Sequence, residues 1–184
     1  MTVTEALEKL KSYEQTSFAL KHAMGLLYYD GVTAAPKGAA AVRGDTTGEL
    51  SRIDYQLTTA PDTVEILETL MAARTELDEI TRRKVEEYWR DYDRTRRIPE
   101  EEFVAYQRLS IKADDVWQTA KETNDFALFE PYLQEMFDTL KRFALYWEPD
   151  KAPYETLLDN YERGLTTAAC DTFFAALRQK LVPL

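Results

Sequence analysis

Residues 126–147 read FALFEPYLQEMFDTLKRFALYW. Within them Phe126, Phe129, Leu133, Met136, Leu140, Phe143 and Trp147 recur at steps of three and four. That period lays apolar side chains along one face of an α-helix. Pro131 falls early in the stretch, lacks an N–H and crowds the preceding turn, so the sequence predicts a short helical turn and then the main helix. Glu148-Pro149-Asp150 ends it. The stripe suits two packings. Aromatic knobs fit a two-stranded coiled-coil seam poorly, because such seams prefer Ile, Val and Leu. A core helix of a bundle fits better.

Helical spacing continues on both sides. Downstream, Pro153 to about Tyr161 predicts a short helix, and Gly164 breaks it. Thr166 or Thr167 then caps a last helix carrying Phe173, Phe174, Leu177 and Leu181. Upstream, Pro99 followed by Glu100, Glu101 and Glu102 is a strong helix start, with Pro early and acids at the positive helix end. Phe103, Tyr106, Leu109, Ala113, Val116 and Ala120 share one face behind it. A helix from about Thr75 to Arg96 points Leu77, Ile80, Val85, Tyr88 and Tyr92 inward, and Pro61-Asp62 opens another that runs to about Ala73. Near the start, Thr2 and Glu5 form a capping box. Leu7, Leu10, Tyr13, Ser17, Leu20, Met24 and Leu27 line a long first helix, which is expected to stop near Asp30-Gly31. Residues 32–38 are read as a loop, and a weakly patterned second helix is expected from Pro36 to about Leu57, with Gly44 and Gly48 against it. No period-two alternation stands out. The fold class is all-α, a multi-helix antiparallel bundle of long helices, with residues 1–184 as a single helical domain or fragment.

Composition narrows the chemistry. A chain of 184 residues with 45% hydrophobic residues is long enough to bury roughly 70% of its unfolded surface. Its formal net charge of -10 opposes broad phosphate-backbone contact, so no nucleic acid is expected. No apolar run approaches the roughly 20 residues that cross a bilayer, and the N-terminus lacks a secretory pattern. A single Cys cannot make an internal disulfide, which fits a cytoplasmic protein.

Each chemically suggestive residue also has a plain structural account. His22 is the one His, Cys170 the one Cys, and nitrogen–sulfur metal sites need three or four ligands. His22 has no acid one turn away, and Cys170 reads as a small core residue of the last helix. No Glu-x-x-His occurs, which removes the di-iron bundle pattern. Glu86, Glu87 and Asp91 lie among Arg82, Arg83, Lys84 and Arg90, as intrahelical ion pairs do. Arg94, Arg96 and Arg97 end a helix, where cations meet its negative end. Gly38, Gly44 and Gly48 do not form a phosphate loop, since no Gly-Lys-Ser/Thr and no preceding strand accompany them. No catalytic, cofactor-binding or metal-ligating residue is assigned in this chain. By its residues alone it reads as an interaction or scaffold domain, or as part of an enzyme.

A series of phrases in order adds to this. Tyr28-Tyr29-Asp30, Pro36 and Arg43 come first, then Arg90-Asp91-Tyr92-Asp93-Arg94, Pro99 and Trp117. Asn124-Asp125-Phe126, Phe129 and Pro131-Tyr132-Leu133 follow, then the run from Tyr154 to Glu162, Gly164, and Leu165-Thr166-Thr167, with Leu181-Val182-Pro183-Leu184 closing the chain. The series resembles the N-terminal part of the carboxypeptidase Taq family, the M32 metallocarboxypeptidases. Departures stand at Tyr29-Asp30, where the family usually has Trp-Asp, and at Ala34-Ala35-Pro36, where it usually has a Met-Pro-Pro-like turn. The resemblance implies a zinc or cobalt enzyme that releases C-terminal amino acids from peptides. Its His-Glu-x-x-His helix and further Glu match no position here. It also implies that these helices form part of the wall of a substrate groove, inactive alone, with a peptide substrate only in a full-length protein. A piece cut from its remainder is expected to self-associate through exposed apolar helix faces. The other reading is a free-standing helical protein-interaction module derived from that family.

Overall fold

Thr2 starts the first helix as its spacing from Glu5 predicts. The Glu5 N–H donates to Thr2 Oγ1 at 3.3 Å, and the Thr2 N–H donates to the Glu5 carboxylate at 2.8 Å. In this computed structural model residues 1–36 and 38–183 are described, and among them every regular element is an α-helix. In chain order these are α1 (Val3–Thr33), α2 (Ala40–Thr59), α3 (Pro61–Ala72), α4 (Glu79–Arg97), α5 (Glu100–Thr123), α6 (Phe126–Trp147), α7 (Pro153–Leu158) and α8 (Thr167–Leu181). None is long and apolar enough to cross a membrane. The chain divides into two compact units, Met1–Leu133 and Gln134–Leu184.

In the first unit α2 runs antiparallel to both α1 and α5. Along α1, Met24 meets Ser51 and Gly31 meets Arg43 as the numbering of α2 falls. Along α5, Arg52 reaches Glu100, Gly48 meets Arg108 and Gly44 meets Ile111 in the same sense. The buried residues of α2 are Ala40, Gly44, Thr47, Gly48, Ser51 and Thr58, all small. A Cβ on Gly48 would lie 2.4 Å from Arg108 Nε, so the bare glycine leaves room for that side chain of α5. At one end of the unit Ala6, Leu10 and Tyr13 of α1 pack with Ile66 and Leu70 of α3 and Val85 of α4. The Tyr13 and Tyr88 rings meet edge to face, 5.4 Å apart.

Several elements depart from the sequence reading. α1 runs through Gly31 to Thr33, because that glycine does not end the helix. A Cβ there would sit 2.8 Å from Arg43 Nε, so Gly31 makes room for a side chain of α2. α2 begins at Ala40 rather than Pro36, after Gly38 at φ 93°, a left-handed residue no helix contains; Lys37 lies outside the described residues. α4 begins at Glu79, four residues late, where the Asp78 carboxylate accepts from the N–H groups of Ile80 and Thr81 at 3.1 Å. Ile80, expected inward, is 72% exposed in that first turn. Val104, which the expected face of α5 omitted, is 1% exposed. α6 is continuous through Pro131. Ala127, whose carbonyl lacks the N–H that Pro131 cannot supply, is exposed to solvent. Its stripe is half-buried rather than a core seam, with Phe143 buried and Phe126 60% exposed.

In the second unit α7 stops at Leu158, shorter than expected, and Asp159 accepts from the Gly164 N–H at 2.8 Å across the turn. Thr166 caps α8 by accepting from the Ala169 N–H. The Glu155 carboxylate accepts from the backbone N–H of Thr167 at 3.2 Å and from its hydroxyl.

Two glycine substitutions separate packing from propensity. Gly48→Ala gains helix propensity but collides with Arg108, and a net loss of about 1–3 kcal/mol is expected. Gly25→Ala meets nothing within 4 Å and is expected to gain about 0.5–1 kcal/mol. Denaturant melts of the two variants against the parent chain measure both.

Candidate functional site

Tyr13, Ser17 and Lys21 stand one turn apart on α1, a spacing of four that puts them on one side of the helix. Asp54 and Thr58 on α2, and Asp91 on α4, face that side. Together they form a polar seam above the apolar core of the first unit. Burial pushes the Asp54 carboxyl up; Lys21 and the Ser17 hydroxyl oppose the rise, and Asp91 adds to it. Asp54 Oδ1 is wholly buried and without a hydrogen-bond partner. Asp91 keeps an exposed edge, yet the protein around its base raises its carboxyl as well, with Glu87 adding and Lys21, Arg90 and Arg94 opposing. Burial raises the Tyr13 phenol against the hydroxyls of Thr58 and Ser17. On α4, Tyr88 is pushed up to about 12 by burial and by the Glu14 carboxylate, to which its hydroxyl donates at 3.2 Å. Lys84 pairs with the same carboxylate at 3.0 Å.

A shallow cleft lies at the corner where α5 turns into α6, lined by Trp117, Ala120, Lys121, Asn124, Phe126 and Phe129. Asn124 makes the turn in the left-handed conformation, φ 55°, and the Asp125 N–H donates to the Ala120 carbonyl at 2.8 Å. Asp125 Oδ1 then accepts from the Ala127 N–H at 3.1 Å and starts α6. Lys121 Nζ sits 5.2 Å from the centre of the Trp117 ring.

The residues weighed in the sequence take ordinary places. His22 is exposed on α1 and stacks on Phe18 at 5.7 Å. Cys170 is half-buried on α8. Arg96 and Arg97 both pair with Asp93, at 3.0 Å and 2.9 Å, so the basic end of α4 is met by an acid of its own helix. Glu86 pairs with Arg82 four residues earlier at 3.3 Å. Gly44 and Gly48 are helix-packing positions, and Gly38 is a turn. Among the described residues no group of three or more His, Cys, Asp or Glu side chains is placed to hold a metal ion. The donors present therefore do not fit a catalytic zinc or cobalt, and no reaction step follows from them. The Asp54–Asp91 seam was not singled out in the sequence. Asp54 and Asp91 stand 37 positions apart on different helices, so only the fold brings them together.

Comparison with known proteins places the chain. A sequence model of the family described as carboxypeptidase Taq (M32) metallopeptidase matches residues 9–184. Carboxypeptidase 1 of Bacillus subtilis is 33% identical over 183 residues, covering 96% of this chain and 36% of the relative. A crystal structure of BsuCP superposes with a TM-score of 0.89 at 33% identity, covering 98% of this chain and 36% of that one. A structure of Pyrococcus furiosus carboxypeptidase gives a TM-score of 0.75 at 30% identity, over 100% and 36% of the two chains. The chain thus spans about 36% of the length of the relatives it matches.

The seam makes stability depend on pH. A carboxyl raised in the folded state favours folding most when it is protonated. That contribution is full below the ordinary carboxylate range and is lost as pH rises through the raised value. Relative to the parent chain, Asp54→Asn is therefore expected to be more stable at pH 7 than at pH 4, by a few degrees in Tm. Thermal melts of both proteins across that range check it, and a difference constant with pH would contradict it.

Proposed function

The chain belongs to the carboxypeptidase Taq (M32) metallopeptidase family, and from that premise we propose that its helices wall the peptide groove of a metal-dependent carboxypeptidase of the cytoplasm without supplying its chemistry. The observation that carries this reading is a pairing. The likeness to M32 proteins extends over nearly the whole chain, while the share of the curated relatives that it covers is 36% to 38%. A catalytic metal needs about three protein ligands and an open position, and none of the described residues offers such a set. What the chain does offer is a rigid frame. α2 is held to α5 by Arg52, which reaches Glu100 at 2.7 Å and Glu101 at 2.9 Å and is kept firmly charged by Glu101 and Glu100. A groove wall has to hold substrate-facing side chains to within about 0.5 Å, and packed helices do this better than loops.

Residues 1–184 are expected to release no C-terminal amino acid from peptides, with or without added Zn²⁺ or Co²⁺. Amino-acid release assays with each metal in turn check this. Clear metal-dependent release by the isolated chain would overturn the reading.

A further inference from the structure

The face of α4 that meets α1 continues past the apolar core. Val85 is buried among side chains of α1 and α3, Tyr88 donates to Glu14 at 3.2 Å, and Asp91 follows on the same face at the next helical step. On α1 the matching steps run from Glu14 to Ser17 and Lys21. Asp54 reaches the same place from α2, where Ser51 and Thr58 on its side of the helix are buried.

Charge does not balance there, because two carboxyls stand beside one ammonium. Among the described residues, the charged groups that act on Asp54 are Lys21 from α1 and Asp91 from α4. The α5 side adds none, since Arg52 pairs with Glu100 and Glu101, and Glu49 with Arg108, on the opposite side of α2. α3 meets α2 through the neutral Thr63 hydroxyl, which donates to the Leu57 carbonyl at 2.7 Å. Asp91 is better served than Asp54. Lys21, Arg90 and Arg94 all favour its charge, Glu87 opposes it, and it keeps an exposed edge. Asp54 has only Lys21, and its Oδ1 is wholly buried with no hydrogen-bond partner. A bare, buried oxygen costs far less on a neutral carboxyl than on a carboxylate.

We propose that Asp54 and Asp91 hold one proton between them, carried on Asp54, and that this proton clasps the later half of α4 to α1 and α2. With Asp54 neutral, Asp91 and Lys21 form a balanced pair. When the proton passes to water, the three groups carry a net negative charge and the bare Asp54 oxygen needs solvent. Solvent reaches it where α4 parts from the α1–α2 pair. Val85, Tyr88 and the Lys84 pair with Glu14 keep the first half of α4 in place, so the parting is confined to residues beyond Tyr88. Burial raises the Asp54 carboxyl, so the clasp is closed at acid pH and is lost as pH rises through that raised value.

A carboxyl ¹³C NMR titration of the 184-residue chain reads the proton, with Asp54 assigned by its absence in Asp54→Asn. Asp54 is expected to titrate above the ordinary aspartate range. Asp91→Asn is expected to lower its midpoint and Lys21→Met to raise it. An Asp54 midpoint in the ordinary range overturns the proposal, as does one that Asp91→Asn leaves in place. Amide hydrogen exchange, corrected for the intrinsic effect of pH, reads the clasp. Protection of residues 89–97 is expected to fall as pH rises from the ordinary aspartate range to the Asp54 midpoint, by about tenfold for each pH unit between them, and then to level off. Protection in α5 is expected to hold, and Asp54→Asn to remove the pH dependence. An equal fall in α5, or a fall that persists in Asp54→Asn, overturns the clasp. Should a variant not fold, triple-resonance assignment of Asp54 and exchange in the parent chain decide by the midpoint and by where protection is lost.

Discussion

How closely other helices can approach α2 decides the shape of residues 1–133. Its buried positions are alanine, glycine, serine and threonine, and its contacts with α1 and α5 each set an arginine over a glycine. Arg43 lies over Gly31 on the α1 side, and Arg108 lies over Gly48 on the α5 side. Both contacts need a missing Cβ. A helix built this way gains little from burying its own apolar area. It serves as a narrow spacer, letting α1 and α5 come near enough for α2 to hold both. The ion pairs of Arg52 with Glu100 and Glu101, and of Arg108 with Glu49, then fix where along its length α5 sits.

Much of this was legible and part was not, for identifiable reasons. Helices with side chains that signal their role appeared where spacing put them: the inner face of α1, the Pro99 start of α5 and the Thr166 cap of α8. α2 was the weak spot because periodicity is read from large apolar residues, and its buried face has none. Gly31 misled because a glycine near a helix end has two uses, termination and close approach, and only the position of Arg43 tells them apart. Ile80 misled because it stands in the first turn of α4, before the helix reaches its neighbours. The phrases that carried the family resemblance mostly describe turns. Asn124 to Phe129 is the α5–α6 corner, and Glu155, Asp159, Gly164 and Thr167 tie α7 to α8.

The polar seam shows why ligand counting and electrostatics answer different questions. Lys21, Asp54 and Asp91 make an ionisable cluster with displaced carboxyls, a pattern common at functional sites. Yet two carboxylates sharing one ammonium lack the donors of a metal site. Their evident effect is on how α1, α2 and α4 lie together.

The contact between α1 and α4 bears on the order of assembly. α1 and α2 are neighbours in sequence, and their pairing closes only a short loop. Tyr88 meets Glu14 across 74 intervening steps of chain, with Tyr13 packed on the same ring. Closing so long a loop carries more entropy loss than closing a hairpin, and it is offset only once α3 has brought α4 back toward α1. In the first unit the α1–α2 pairing is thus the contact with the smaller loop-closure cost, and the Tyr88 contact with Glu14 the one with the larger.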